Sequence, residues 1–496
     1  MRITIFYLLM FSGIIFGNKY YVSTAGDDDS SGTITQPFRT ITKLLSVIQP
    51  GDTGIIREGT YELHFATQRS GTQQNPIVIK AFDGEHPVLV GTGRTSNGGR
   101  FKIKHNWYII ENLELKNGSA GFTFTHNASH NILRNCTAHY HYYTGIYLAD
   151  GAAYNKIINC DAYDMYDTRT DGGSGDGFSV SGQDYTPGPG NVFIGCRAWH
   201  NSDDGFDVWK AGYPVEFINC YSFRNGTNKG DGNGFKLGIN KTNRDKHILK
   251  NCVAWKNRQN GFDYNENTLP QTLLNCTAYA NYRNYKFSNL RGAPETDNIQ
   301  NCISVKTTSF DVILKSIRDS NTNSWNLISP NAQNILEDNF ISTDDFVISG
   351  KRNSDGSIPE NDFLRLKDGS IFVDAGVDVG LPFKGKAPDL GAFESDFTVD
   401  VERLVSTSNS GNNFKLSSYP SPAKEYAVIN YHLPSGVSNA ELIVFNILGQ
   451  SVKKFNIYKA SGYVNLSTTN LPSGTYIYVI QTANKISKVK KILVVK

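Results

Sequence analysis

Three aspartates crowd into five positions of the stretch NSDDGFDVWK, at Asp203, Asp204 and Asp207. Carboxylates this close raise one another's pKa and resist ionising together. Such crowding is tolerable where solvent screens it or where a cation sits among the charges. The same local pattern recurs in TGIYLAD, GDGFSVSG, GNGFKLG and QNGFDYN. Aligned on glycine with DDGFDVWK, these segments give a column of Ile146, Phe178, Phe206, Phe235 and Phe262. Strand alternation turns that column inward and the next one outward: Tyr147, Ser179, Asp207, Lys236 and Asp263. The column before the glycine reads Asp176, Asp204, Asn233 and Asn260. In this register Asp176, Asp203, Asp204 and Asp207 converge on one point. Hard oxygen ligands at that density suit Ca²⁺. The bland alternative is a solvated acidic edge that binds nothing. No segment carries the EF-hand pattern, and His139, His141 and His200 lack a metal-ligand spacing. Lys236 projects beside the cluster. A cation there lowers the lysine pKa and frees an amine to act as a base, whereas Asp207 and Asp263 push the pKa up. An outward lysine is otherwise ordinary surface.

The element that brings such columns together is written in the cysteines. Cys136, Cys160, Cys196, Cys220, Cys252, Cys276 and Cys302 are spaced by 24, 36, 24, 32, 24 and 26 residues. Six follow an asparagine (Asn135, Asn159, Asn219, Asn251, Asn275 and Asn301), and Cys196 follows Gly195. Asn112–Leu113 and Asn326–Leu327 extend the frame. A fixed period of this size marks a repeat architecture. Units such as NKIINCDAY, NVFIGCRAW and VEFINCYSF alternate as short strands. The pattern predicts an all-β chain, a right-handed parallel β-helix with coils stacked ~4.8 Å apart. The asparagines are expected to form a ladder of side-chain amides. The cysteines are expected as an inward stack of reduced thiols rather than a disulfide framework. The longer gaps hold insertions, which are frequent carriers of function. Near the start, Phe38, Ile41, Leu44, Leu45 and Ile48 have helical spacing, which predicts a helix capping the open end of the stack.

The stretches GDGFSVSG, GCRAWHNSDDGFDVWKAGYPVEFINCYSFRNG, DGNGFKLG and NCVAWKNRQNGFDYN carry a resemblance. So do KYYVSTAGDDDSSGTITQPFRTI and PGDTGIIREGTY near the start, and FLRLKDGSIFVDAGVDVG and APDLGAFE near the end. From about Lys19 to Glu394 the chain resembles polysaccharide lyase family 9, the pectate lyases built on a right-handed parallel β-helix. The resemblance implies an anti β-elimination on pectate (polygalacturonate), an acidic plant polysaccharide. Ca²⁺ would bind the C6 carboxylate of a galacturonate, a lysine would take the C5 proton, and the C4–O4 bond would break. Carried over by motif, Asp176, Asp203, Asp204 and Asp207 are the Ca²⁺ ligands and Lys236 the base. Trp209, Tyr213, Tyr264, Asp263, Lys241, Arg244 and Arg258 are candidates for contacting sugars or their carboxylates. The loop from Thr186 to Val192 is expected to shape a wall of the cleft. Two alternatives stand beside this. One is a rhamnogalacturonan lyase, or a lyase of another uronate polymer, on the same site. The other is a non-catalytic surface β-helix that binds glycans or Ca²⁺, which has no need of a base beside the aspartates. A hydrolase would want paired carboxylates with no ion between them.

Charge and ends complete the reading. From Phe414 to Lys496 the chain carries ten Lys and two Glu, leaving the body mildly acidic. That body has no basic stripe, so a nucleic-acid partner is not expected. The segment Met1–Gly17 reads as a secretory signal peptide. Residues 18–395 are assigned to the β-helix, 396–413 to a polar linker and 414–496 to a small β-sandwich. The segments YPSPA, ILGQ and LPSGTYIY resemble the C-terminal sorting domain of type IX secretion, with Ser421 where that family usually has Asn. The resemblance implies a secreted or cell-surface protein that engages the type IX machinery. A monomer is expected.

Overall fold

The computed structural model describes residues 17–182, 186–238, 245–287, 297–309, 312–313, 322–327, 336–397, 414–433, 439–446, 451–482 and 490–495. The signal segment up to Phe16, most of the linker, Lys241 and Arg244 lie outside the described residues.

Three parallel sheets of eleven, ten and ten strands wrap a single core. Each strand pairs with its equivalent one coil further on, so the expected β-helix is what forms. Strands are only two to five residues long because the chain must turn a corner between sheets. The asparagine before each cysteine makes one such corner. Asn112, Asn135, Asn159, Asn219, Asn251, Asn275 and Asn301 all have φ between 51° and 57°. Asparagine and glycine tolerate this left-handed conformation best, which explains why Gly195, at φ 63°, is the one exception in the column.

The amide ladder lies elsewhere. In the cysteine-linked column, only Asn301 and Asn275 bond side chain to side chain among the described residues. The continuous ladders run Asn131–Asn155–Asn191 and Asn201–Asn225–Asn257–Asn281–Asn284, each amide donating to the next at 2.9–3.1 Å. These asparagines are buried, and the ladder supplies partners that water cannot.

Inside, the seven cysteines are free thiols, all buried. Phe178, Phe206, Phe235 and Phe262 stack with centroids 4.7, 4.7 and 5.1 Å apart. Each buried phenylalanine contributes roughly 1.5–3 kcal/mol by leaving water. The helix Ile41–Val47, capped by Thr40 Oγ1 on the Lys43 amide, covers the first coils with Ile41, Leu44 and Leu45. Outside the third sheet, Tyr163, Trp199, Phe223 and Trp255 form a second aromatic stack. Residues within 336–393 cover it with Phe340, Phe363 and Phe372.

The C-terminal unit has two antiparallel sheets of three and four strands around its own core of Ile429, Leu442, Val444, Tyr478 and Ile480. This is the β-sandwich expected from its alternation.

Candidate active site

The site is built on the outer face of the second sheet. Ser179, Asp207, Lys236 and Asp263 occupy one column on four consecutive coils. The phenylalanines that precede them point into the core, as alternation requires. The preceding glycines are needed for close approach between coils. A Cβ on Gly205 would fall 1.9 Å from Ser222 Oγ. Outward does not mean solvated here, because flanking loops bury Ser179, Asp207 and Asp263.

Asp176 stands one coil before Asp204, and its Oδ1 accepts the Asp204 amide at 3.2 Å. Asp204 is completely buried. Its Oδ1 accepts from the Asn233 amide at 2.6 Å and from Asn233 Nδ2 at 2.9 Å. Its Oδ2 receives no well-directed hydrogen bond, although Lys236 Nζ stands 3.0 Å away. Asp207 Oδ1 accepts the Trp209 amide at 2.8 Å, and Oδ2 is 3.8 Å from Lys236 Nζ. Asp203 Oδ1 accepts the Asp231 amide at 2.5 Å. Carboxylate oxygens of Asp176, Asp204 and Asp207 lie within 4.8 Å of one another, as do those of Asp203, Asp204 and Asp231. The four aspartates singled out in the sequence therefore do converge, with Asp204 shared between two overlapping trios.

Burial and mutual repulsion govern their ionisation. Burial, then the charges of Asp203, Asp207 and Asp204, drives Asp176 well above the usual carboxylate range. Asp203 is pushed up to about 8 by burial and Asp204. Asp207 is pushed up to about 6 by burial, with Lys236 opposing and Asp204 adding. Burial works against the Lys236 ammonium. Asp204, Asp207, Asp203 and Asp231 outweigh it and hold the lysine well above its ordinary value. An all-oxygen donor set, buried, with one carboxylate oxygen lacking a donor, fits a hard divalent cation.

Alignment of the coils does not reveal Asp231. It sits on an insertion between coils, and its Oδ2 is 2.9 Å from Lys236 Nζ. Arg258, proposed as a sugar contact, instead reaches the carbonyls of Asn228 and Asp231 and supports that same insertion. Trp209 is half-buried and lines the cleft. Tyr213 is exposed in the turn beyond it and does not line the cleft. Tyr264 is only 6 % exposed and packs in the core, two residues after Phe262 on the same inward face. It is not available for stacking on a sugar. Asp263 is spoken for by Lys286 Nζ at 3.1 Å, Asn260 Nδ2 at 2.8 Å and the Asn265 amide at 2.8 Å. The segment from Thr186 to Val192 bonds to Gly151, Ala152 and Tyr154 and does not line the cleft. The wall comes from Arg169, Gly173 and Ser174 in the preceding insertion, and the cleft encloses about 400 Å³.

The parallel β-helix that carries this cleft is shared with solved polysaccharide lyases. Residues 20–301 match the family described as the Pel9A-like, right-handed beta helix region, and the chain belongs to it. Residues 417–495 match the secretion system C-terminal sorting domain. The chain is 32% identical over 407 residues to "Pectate lyase L" of Dickeya dadantii, covering 77% of this chain and 92% of that one. It is 31% identical over 392 residues to "Pectate lyase PEL9" of Emericella nidulans, covering 70% and 92%. The crystal structure of pectate lyase Pel9A superimposes with TM-score 0.69 at 31% identity, over 77% of this chain and 97% of that one. A structure titled rhamnogalacturonan lyase superimposes with TM-score 0.62 at 26% identity, over 71% and 97%. The protein is thus a polysaccharide lyase, and the non-catalytic reading is set aside.

Proposed function

We propose that the protein is an exported, Ca²⁺-dependent lyase that cleaves polygalacturonate by β-elimination. Asp176, Asp203, Asp204 and Asp207 hold the ion, and Lys236 is the base. The observation that carries this reading is the contact of Lys236 Nζ with the buried Asp204, whose Oδ2 lacks a directed donor. When bound, Ca²⁺ supplies neutralisation of the sugar's C6 carboxylate, which acidifies the neighbouring C5–H. Lys236 is held charged by the aspartates and loses that hold once their charge is balanced. Its neutral Nζ then takes the C5 proton. The C5–H electron pair becomes the C4–C5 double bond, and the C4–O4 bond breaks, its oxygen gaining a proton from water. Asp231, on the solvent side of Nζ, orients the amine between proton transfers. Residues 414–496 serve as the export address after removal of the signal segment, and play no part in the chemistry.

A second reading keeps the site and changes the polymer, favoured by the structural likeness to a rhamnogalacturonan lyase. Ultraviolet absorbance of the unsaturated product, followed on polygalacturonate and on rhamnogalacturonan with Ca²⁺ and then chelator, separates the two. We expect a rise on polygalacturonate that chelator abolishes. A rise confined to rhamnogalacturonan would transfer the activity to that polymer, and a chelator-resistant rise would remove the metal.

A further inference from the structure

The cleft has a second charged region that the chemistry above does not use. Arg100 and Arg169 line it together with Lys236, Asp176, Asp207 and Trp209. Arg100 is half-buried, and its Nε donates to Ser119 Oγ at 3.0 Å. Among the described residues neither Arg100 nor Arg169 pairs with a carboxylate. Arg57, Arg134, Arg197, Arg224 and Arg352 all do. Burial disfavours the charge of Arg100, and the groups that oppose this are the phenols of Tyr143 and Tyr147. A partly desolvated guanidinium without an anion is costly unless a ligand supplies one.

Its position is informative. Arg100 occupies the glycine column, directly before the strand Phe101–Ile103. That strand lies three coils before Phe178–Val180, about 14 Å along the axis. Its guanidinium lies near the phenols of Tyr143 and Tyr147, in the cleft that the aspartates also line. Arg169 enters from the inserted wall. The cleft thus combines a cluster suited to a cation with two guanidiniums that no carboxylate of the described residues pairs.

We infer that Arg100 and Arg169 form a second carboxylate-binding subsite, which takes another uronate of the same chain whose cleavage occurs beside Lys236. The inference rests on the polyuronate reading given above. A guanidinium matches a carboxylate in two parallel hydrogen bonds, and that match selects for the free acid. A polyuronate presents a carboxylate on every sugar and fills the subsite in any register. A chain in which uronate alternates with a neutral sugar fills it in only half of the registers, and a methyl ester cannot fill it at all.

The test is binding of oligogalacturonates by calorimetry, with Lys236→Ala in every protein to block turnover. Oligomers long enough to span the cleft are compared with the trimer and with the methyl-esterified long oligomer. Arg100→Gln is expected to weaken the long acidic oligomer about tenfold, the usual effect of one charge-assisted hydrogen bond. The trimer and the ester should bind as before. Arg169→Ala, an exposed position, should act in the same direction and guards against misfolding of the first variant. Unchanged affinity in both variants would overturn the subsite, as would equal weakening of acid and ester. Because binding is read without cleavage, weakened binding by a parent protein that eliminates nothing would uphold the subsite while refuting the lyase chemistry proposed for it.

Discussion

Loading the aspartate cluster with Ca²⁺ near pH 7 should expel at least about one proton per ion. Metal ligands must be deprotonated. Asp176 is held well above the usual carboxylate range and adds to the release. Asp203, at about 8, is roughly nine-tenths protonated, and Asp207, at about 6, roughly one-tenth. Asp203 and Asp207 together give about one proton, to which Asp176 and the neutralised Lys236 add, and the share of the first two falls toward zero as the pH approaches about 9 and Asp203 ionises unaided. The assay is calorimetric titration of metal-free protein in two buffers of different ionisation enthalpy, whose difference in apparent heat counts protons. The linkage has a second face. An aspartate raised from the ordinary 3.8 to about 8 binds its proton more tightly folded than unfolded. Metal-free stability therefore falls as pH climbs through that window, and Ca²⁺ removes the penalty. Proton release near zero at pH 7, or metal-free stability that rises between about pH 5 and 8, would refute the crowding argument.

Other outcomes follow from the frame. Asn257→Ala removes an amide that accepts from Asn225 and donates to Ser222 and Asn281, and should cost about 2–4 kcal/mol in denaturant unfolding. Gly195→Asn should be tolerated within about 1 kcal/mol, because six neighbours in the column already hold asparagine at the same φ and only the Asn159 side chain must move. Gly195→Val at that φ should cost about 1–3 kcal/mol or more in the same assay. Titration with a thiol reagent should find no reactive cysteine in the native protein and all seven after denaturation, since every thiol is buried and unpaired.

Much of this architecture is legible in the chain because period-2 alternation and a fixed coil length leave little freedom. The Phe178 to Phe262 stack and the outward Asp207–Lys236–Asp263 column follow from aligning glycines. The same parity, applied two residues beyond Phe262, places Tyr264 inside. The asparagine before each cysteine was misleading, since its type reports a left-handed corner and not a ladder. The true ladders are carried by Asn131, Asn155 and Asn191 on one side of the cysteines and Asn201, Asn225, Asn257 and Asn281 on the other, with the same gaps as the cysteines, so their register is equally legible in the chain. Asp231 and Arg169 escape the alignment for a different reason. Both belong to insertions, and the path of an insertion is set by tertiary contacts such as Arg258 on Asn228 and Asp231. Arg100 was missed because it departs from glycine in its column, the one signal that could have drawn notice.

The central claim is that Lys236 is the base beside a carboxylate-bound ion. Its most direct test is Lys236→Ala measured twice, by Ca²⁺ calorimetry and by product absorbance on polygalacturonate. The account predicts that the variant still binds Ca²⁺, because the aspartates remain, while elimination falls at least about a hundredfold. Elimination that persists within tenfold of the parent, with Ca²⁺ bound, would contradict it.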